Sequence, residues 1–150
     1  MGKILLCKSY GALYGYIKPD QKIGGILMDS NSFVAILPSN DIDASEAFYA
    51  KLGFKINGGG EPDYRILSDG KGARIHLTQA VEGWLIPGRN PFGVYLYSEN
   101  VDALAKAFGV TPENKPWGMY EFALSDPDET LVRIGGPLSD FRKLDSSEPK

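Results

Sequence analysis

Apolar and polar positions in this chain switch between a strand spacing and a helix spacing, and the rhythm begins at residue 31. Ser32-Phe33-Val34-Ala35-Ile36-Leu37 is a short, mostly apolar run closed by Pro38. It reads as a strand ended by a residue that cannot donate to a ladder. Asn40-Asp41-Ile42-Asp43 then offers N-cap side chains, and Ala47, Phe48 and Leu52 recur at helical spacing before Gly53. That pattern predicts a helix of about ten residues stopped by glycine. Beyond it, Phe54-Lys55-Ile56, Tyr64-Arg65-Ile66-Leu67 and Ala73 to Gln79 predict three antiparallel strands. The cluster Gly58-Gly59-Gly60 and the turn Ser68-Asp69-Gly70 separate them.

The second half repeats the order. Phe92 to Tyr97 is a strand, Asn100 to Phe108 a capped helix ended by Gly109, and Gly118 to Leu124 and Thr130 to Ile134 are strands about an Asp126-Pro127-Asp128 turn. The strand expected around Val110 is the weakest of the set. A repeat of about 60 residues with this order describes a duplicated module. The predicted fold is α+β: two βαβββ modules, at 31–80 and 91–136, forming cleft-shaped mixed sheets with helices on the outer faces. A sheet covered by its helix on one face must bury the other against something, and the simplest partner is the concave face of a second module.

A chain of 150 residues fits one domain, or one domain made of two similar halves. Hydrophobic content of 43% and charged content of 23% are globular values, which removes disorder as the default reading. No apolar run approaches the roughly 18 residues of a membrane span. Ile4-Leu5-Leu6-Cys7 is too short for a signal-peptide core, so a cytoplasmic protein with no membrane partner is expected. Cys7, the single cysteine, has no second thiol for a disulfide or a zinc motif.

Charge becomes informative when divided by region. Residues 1–27 carry a net +3, whereas residues 28–136 hold 15 acidic and 9 basic side chains, a net −6. Such a body repels phosphates, which excludes nucleic acid as the expected partner and suits a cationic ligand. Residues 1–27 read as an extension, either derived from an upstream start or serving as an arm on a partner subunit. The domain is expected at 28–136, and residues 137–150 as a polar tail, frayed beyond Leu144.

Two phrases carry a resemblance. Leu37-Pro38-Ser39-Asn40-Asp41-Ile42-Asp43-Ala44-Ser45-Glu46-Ala47-Phe48-Tyr49-Ala50-Lys51-Leu52-Gly53-Phe54 resembles the opening of glyoxalase and bleomycin-resistance proteins, with its F-Y-x-x-L-G-F ending. Pro116-Trp117-Gly118-Met119-Tyr120-Glu121-Phe122-Ala123-Leu124-Ser125-Asp126-Pro127-Asp128 resembles their W-G-x-x-x-F-x-x-x-D-P-D-G phrase. Over residues 31 to 136 the chain is therefore similar to the vicinal-oxygen-chelate superfamily, most of all to its bleomycin-resistance branch. Glu129 stands where that family usually has glycine. Holding a non-glycine residue at positive φ costs about 1 kcal/mol, so a different local turn shape is expected.

The resemblance implies metal ligands on the first and last strands of each half. Carried over, these fall on Phe33, near His76, near Gly93 and on Arg133, of which only His76 could bind a metal. No metal and no cofactor are expected. Strand alternation turns Arg74, His76 and Thr78, then Tyr95 and Tyr97, then Glu121 toward the cleft. The expected ligand-binding set is Phe33, His76, Trp84, Tyr95, Tyr97, Trp117, Glu121 and Arg133: flat apolar walls with sparse polar groups. Each has a plainer alternative. His76 is either a satisfied histidine or a base, Tyr95 and Tyr97 line the cleft or fill the core, and Arg133 and Glu121 face the ligand or pair with each other. Trp84, on the Gly- and Pro-containing connection between halves, is a lid or a core plug. Trp117 is a wedge or a stacking surface.

Three functions compete. The first is a sequestering protein for an aromatic antibiotic or toxin, cationic or neutral, which the resemblance implies is a homodimer. The second is a lyase- or dioxygenase-type enzyme on the same fold, and the third a peptide-binding module. Binding without catalysis is the favoured expectation.

Overall fold

The computed structural model describes residues 32–58 and 61–145. The first module contains β1 (Ala35–Ser39), α1 (Ile42–Lys51), β2 (Lys55–Gly58), β3 (Tyr64–Ser68) and β4 (Arg74–Gln79). The second contains β5 (Gly93–Tyr97), α2 (Val101–Phe108), β6 (Glu113–Asn114), β7 (Met119–Ser125) and β8 (Leu131–Pro137), followed by α3 (Leu138–Asp145). The strands form two four-stranded sheets, ordered β1-β4-β3-β2 and β5-β8-β7-β6. In each, the first strand runs parallel to the last and the other pairs are antiparallel. This is the duplicated α+β arrangement that the sequence rhythm describes.

Local chemistry explains the helix boundaries. Asp41 caps α1 by accepting from Ala44 N at 3.0 Å, and Gly53, at φ 92°, lets the chain leave it. The buried side chains of α1 are Ile42, Ser45 and Tyr49, a single stripe that packs on β3 and β4. Helix α2 buries Val101 and Ala105 and ends in left-handed Gly109. Leu37, Leu67, Ile75 and Leu77 from the first sheet join Phe122, Val132 and Ile134 from the second in one core, which Tyr49 and Phe54 also enter. The rings of Phe48 and Phe108 meet at 5.4 Å, linking α1 to α2.

The Asp126-Pro127-Asp128 turn fastens the modules together. Asp126 Oδ1 accepts from Asp128 N and Thr130 N at 2.9 and 2.8 Å, which closes the turn, while its Oδ2 accepts from Tyr49 Oη on α1 at 3.1 Å. Asp128 takes Asn40 N, Asn40 Nδ2 and Ser45 Oγ at the start of α1. Both carboxylates are buried, and their hydrogen bonds replace lost water. Burial first, and Asp126 second, push the Tyr49 hydroxyl well above its usual range, so it serves as a permanent donor.

Three local expectations differ from the structure. Pro38 lies inside β1 rather than ending it, because β1 is an edge strand where a missing N–H leaves no neighbour unserved. Glu129 keeps φ 62°, so the turn retains the left-handed shape instead of changing it. The segment expected as a polar tail opens with α3, docked by Phe141 against Tyr120 at 5.1 Å and against Gly136. The weak strand of the second half is the two-residue β6. The expectations for residues 1–27 fall outside the described residues. Among the described residues no helix is long and apolar enough to cross a membrane.

Candidate functional site

Register fixes which side chains share a face. Leu37 pairs with Leu77 in the first sheet, and Leu96 with Ile134 in the second, all on the helix-covered side. Superposing those pairs makes His76 the counterpart of Arg133, Ile36 that of Tyr95, and Tyr64 that of Glu121. The faces turned away from the helices thus carry the same construction twice, with different chemistry in each. Ile36, Tyr97 and Leu131 stand exposed on these faces.

On the first sheet, Tyr64 Oη and His76 Nδ1 lie 2.6 Å apart, with the rings nearly perpendicular. Burial first, and the Arg74 charge second, lower the His76 pKa. The bond occupies Nδ1, with Tyr64 Oη as donor to the Nε2-protonated tautomer or as acceptor from the Nδ1-protonated one. His76 is a hydrogen-bonded histidine.

On the second sheet, Tyr95 Oη donates to Glu121 Oε2 at 2.7 Å, and Arg133 Nη1 lies 3.5 Å from Glu121 Oε1. Tyr95 is on β5 and Glu121 on β7, with β8 between them, so the tyrosine must cross a strand to reach its acceptor. Gly135 makes the crossing possible. A Cβ there would collide with Glu121 Cβ and come within 2.7 Å of both Tyr120 O and Tyr95 Oη. Glu121 is only 3% exposed, whereas the Arg133 side chain is 43% exposed. Burial, then the hydrogen bond to Glu121, push the Tyr95 hydroxyl far above its usual range, which fixes it as donor. Tyr97 packs on Tyr95 at 4.6 Å between centroids and is 72% exposed, leaving one aromatic surface open.

Four of the eight sequence-derived site residues therefore come together: Tyr95, Tyr97, Glu121 and Arg133. His76 holds the equivalent place on the other sheet. Phe33 precedes β1 and is fully exposed, one position out of phase with the outward-facing Ile36 and Pro38. Trp84 is 79% exposed on the connection between modules, where neighbouring Leu85 supplies the buried anchor, so Trp84 is no core plug. Trp117, at the β6–β7 hairpin tip beside left-handed Gly118, is 59% exposed and no wedge. The sequence reading passed over Tyr64 and Gly135. The Gly135-Gly136 pair inside a strand was the available signal for a close approach.

The residues do not fit a divalent cation at the superfamily's positions. Phe33 lies off the face, Gly93 offers no side-chain ligand atom, Arg133 brings a positive charge, and among the described residues no three of His, Cys, Asp or Glu come together.

This chain has the fold of the vicinal-oxygen-chelate superfamily. It is similar to a bleomycin-binding protein solved with bleomycin, at 26% identity and a TM-score of 0.62, covering 71% of this chain and 98% of that one. It is also similar to the bleomycin resistance determinant encoded on transposon Tn5, at 27% identity and a TM-score of 0.61, covering 72% and 98%. A lactoylglutathione lyase from Agrobacterium tumefaciens shares the fold at 21% identity and a TM-score of 0.56, over 71% and 93% of the two chains. No family model and no curated protein matches the sequence.

Proposed function

We propose that this protein binds and sequesters planar aromatic small molecules, in the manner of a bleomycin-resistance protein and without a metal. The observation that carries the reading is the open face of the second sheet. There Tyr95 and Tyr97, their rings tilted by 38° at 4.6 Å, stand beside buried Glu121 and partly exposed Arg133, an aromatic surface with few orienting groups. Similarity to bleomycin-binding proteins supports it. Exposed Ile36, Tyr97 and Leu131 on the uncovered faces favour a homodimer, in which the first sheet of one protomer closes over the second sheet of its partner. Any preference for cations comes from the acidic body as a whole rather than from Glu121, whose oxygens already accept from Tyr95 and Arg133.

Binding is favoured over catalysis because both candidate bases of the described face already hold hydrogen bonds within it. The His76 Nδ1 is engaged by Tyr64, and Glu121 is buried beneath Tyr95. A thermal-shift screen of planar dyes and drugs tests the proposal: several should raise the melting temperature and quench tryptophan fluorescence, with Trp84→Ala reducing the quench. Stabilisation by a divalent metal, with none by any planar compound, would reverse the reading toward an enzyme. Sedimentation as a single chain at micromolar concentration would remove the dimer.

A further inference from the structure

The edges of the two sheets do not close on each other. Between β1 and the start of β4 on one side, and β5 on the other, lies a cavity of about 210 Å³. Its walls are Leu52, Phe54, Ile75, Val94, Leu96 and Val132, all on the core side of their elements. Arg74 and Tyr95 are the lining residues that belong to the outward faces, so they mark the mouth. The Tyr95 hydroxyl is committed to Glu121. Among the described residues Arg74 is the one charged side chain of the lining, and its guanidinium has no hydrogen bond and no ion pair.

A guanidinium at the rim of an apolar cavity, with no carboxylate paired to it among the described residues, is half of a recognition pair. Its neighbour on the same face is His76, which adds no negative charge. β1 and β5 are edge strands, each with one row of backbone groups that no strand partner uses, and both border the cavity. An apolar cavity of roughly 150 Å³ holds a benzene ring, so this one has room for a single ring with a small acidic substituent.

We propose that this cavity is a second ligand site, which takes a small aromatic carboxylate with its ring among the core side chains and its carboxylate on Arg74. The site lies within one chain and does not require the dimer; it shares Tyr95 with the tyrosine face but not Tyr97. Arginine suits the role because its planar fork meets a carboxylate with two parallel hydrogen bonds.

Benzoate is the probe, with benzylamine and benzyl alcohol as cationic and neutral comparators of nearly the same shape. Titration of the full chain should show benzoate binding and raising the melting temperature, benzyl alcohol acting weakly and benzylamine not at all. Arg74→Gln should weaken benzoate about tenfold while Arg74→Lys keeps part of the affinity. NMR contacts from the benzoate ring to the Val94 and Leu96 methyl groups should appear in the parent, which locates the ring without a core substitution. Tyr97→Ala, which tests the face site, should leave benzoate affinity unchanged. Absence of benzoate binding, equal binding of benzylamine, or undiminished affinity in Arg74→Gln overturns the proposal. Loss of benzoate in Tyr97→Ala together with missing Val94 and Leu96 contacts would assign the binding to the face and overturn it as well.

Discussion

Replacing Gly135 with alanine places a methyl group where three strands leave no space for one. The new carbon would collide with Glu121 Cβ, approach the Tyr120 carbonyl oxygen to 2.7 Å, and meet Tyr95 Oη at the same distance. A backbone oxygen on β7 cannot swing aside as a side-chain tip can, so relief must come from moving β8 or displacing Tyr95. Overpacking of this kind costs about 1–3 kcal/mol. Displacing Tyr95 also removes a charge-assisted hydrogen bond from a carboxylate that is 3% exposed, worth about 1.5–3 kcal/mol. The two costs are alternatives in part, and about 3 kcal/mol is expected. For a chain of this length that lowers the melting temperature by about 6–12 °C. Urea unfolding gives the free energy directly. The double variant Gly135→Ala with Tyr95→Phe should lose less than the sum of the singles, because the hydroxyl that meets the methyl is gone. Gly136→Ala is the comparison: its added carbon would meet the Phe141 ring at 3.0 Å and the Ser98 backbone oxygen at 3.3 Å, looser contacts than at Gly135, so a smaller loss is expected. Gly135→Ala within about 0.5 kcal/mol of the parent would refute the view that glycine is there to pass Tyr95 across β8.

Asp128→Ala should cost about 3 kcal/mol by urea unfolding, since it strips Asn40 and Ser45 of their buried acceptor at the module junction; an unchanged midpoint would deny that this turn joins the halves. Glu129→Gly should raise stability by about 0.5 kcal/mol, the relief at φ 62° exceeding the added freedom of the unfolded chain, and a lower melting temperature would contradict it. The His76 pKa is lowered in the folded chain, so the unfolded chain binds the proton first as pH drops. Stability should therefore decline as pH falls below about 6.5, until the folded-state pKa is passed. His76→Gln should remove that part of the slope, and parent and variant curves of the same shape would show that His76 is not its source.

Much of the fold was legible because local rules and tertiary packing agree. Asp41 and Gly53 mark the ends of α1 without reference to the rest of the chain, whereas its buried stripe is Ile42, Ser45 and Tyr49, and of the Ala47, Phe48 and Leu52 in the sequence pattern Leu52 is buried and Ala47 exposed. Alternation placed Ile75 and Leu77 inward and Tyr95 and Glu121 on one face, because one residue of slippage would turn every buried side chain outward, and the resemblance put Arg133 beside them. What escaped depends on neighbours distant in sequence. Pro38 is tolerated because β1 happens to be an edge. Helix α3 has few apolar anchors and exists where Phe141 finds Tyr120 and Gly136. The crossing of Tyr95 over Gly135 requires knowing that β8 lies between β5 and β7. Phe33 was placed by the resemblance alone, and a shift of one residue at a strand end is enough to take a side chain off its face.

The central claim is that the uncovered face of the second sheet binds planar aromatic molecules. Equilibrium titration of the parent and Tyr97→Ala with a planar compound selected by thermal shift tests it most directly. Tyr97 is 72% exposed, so its removal should disturb the fold little. Loss of its stacking, worth roughly 0.5–1.5 kcal/mol, should weaken affinity about threefold to tenfold at unchanged unfolding free energy. Equal affinity of parent and variant for every planar compound that binds would contradict the claim.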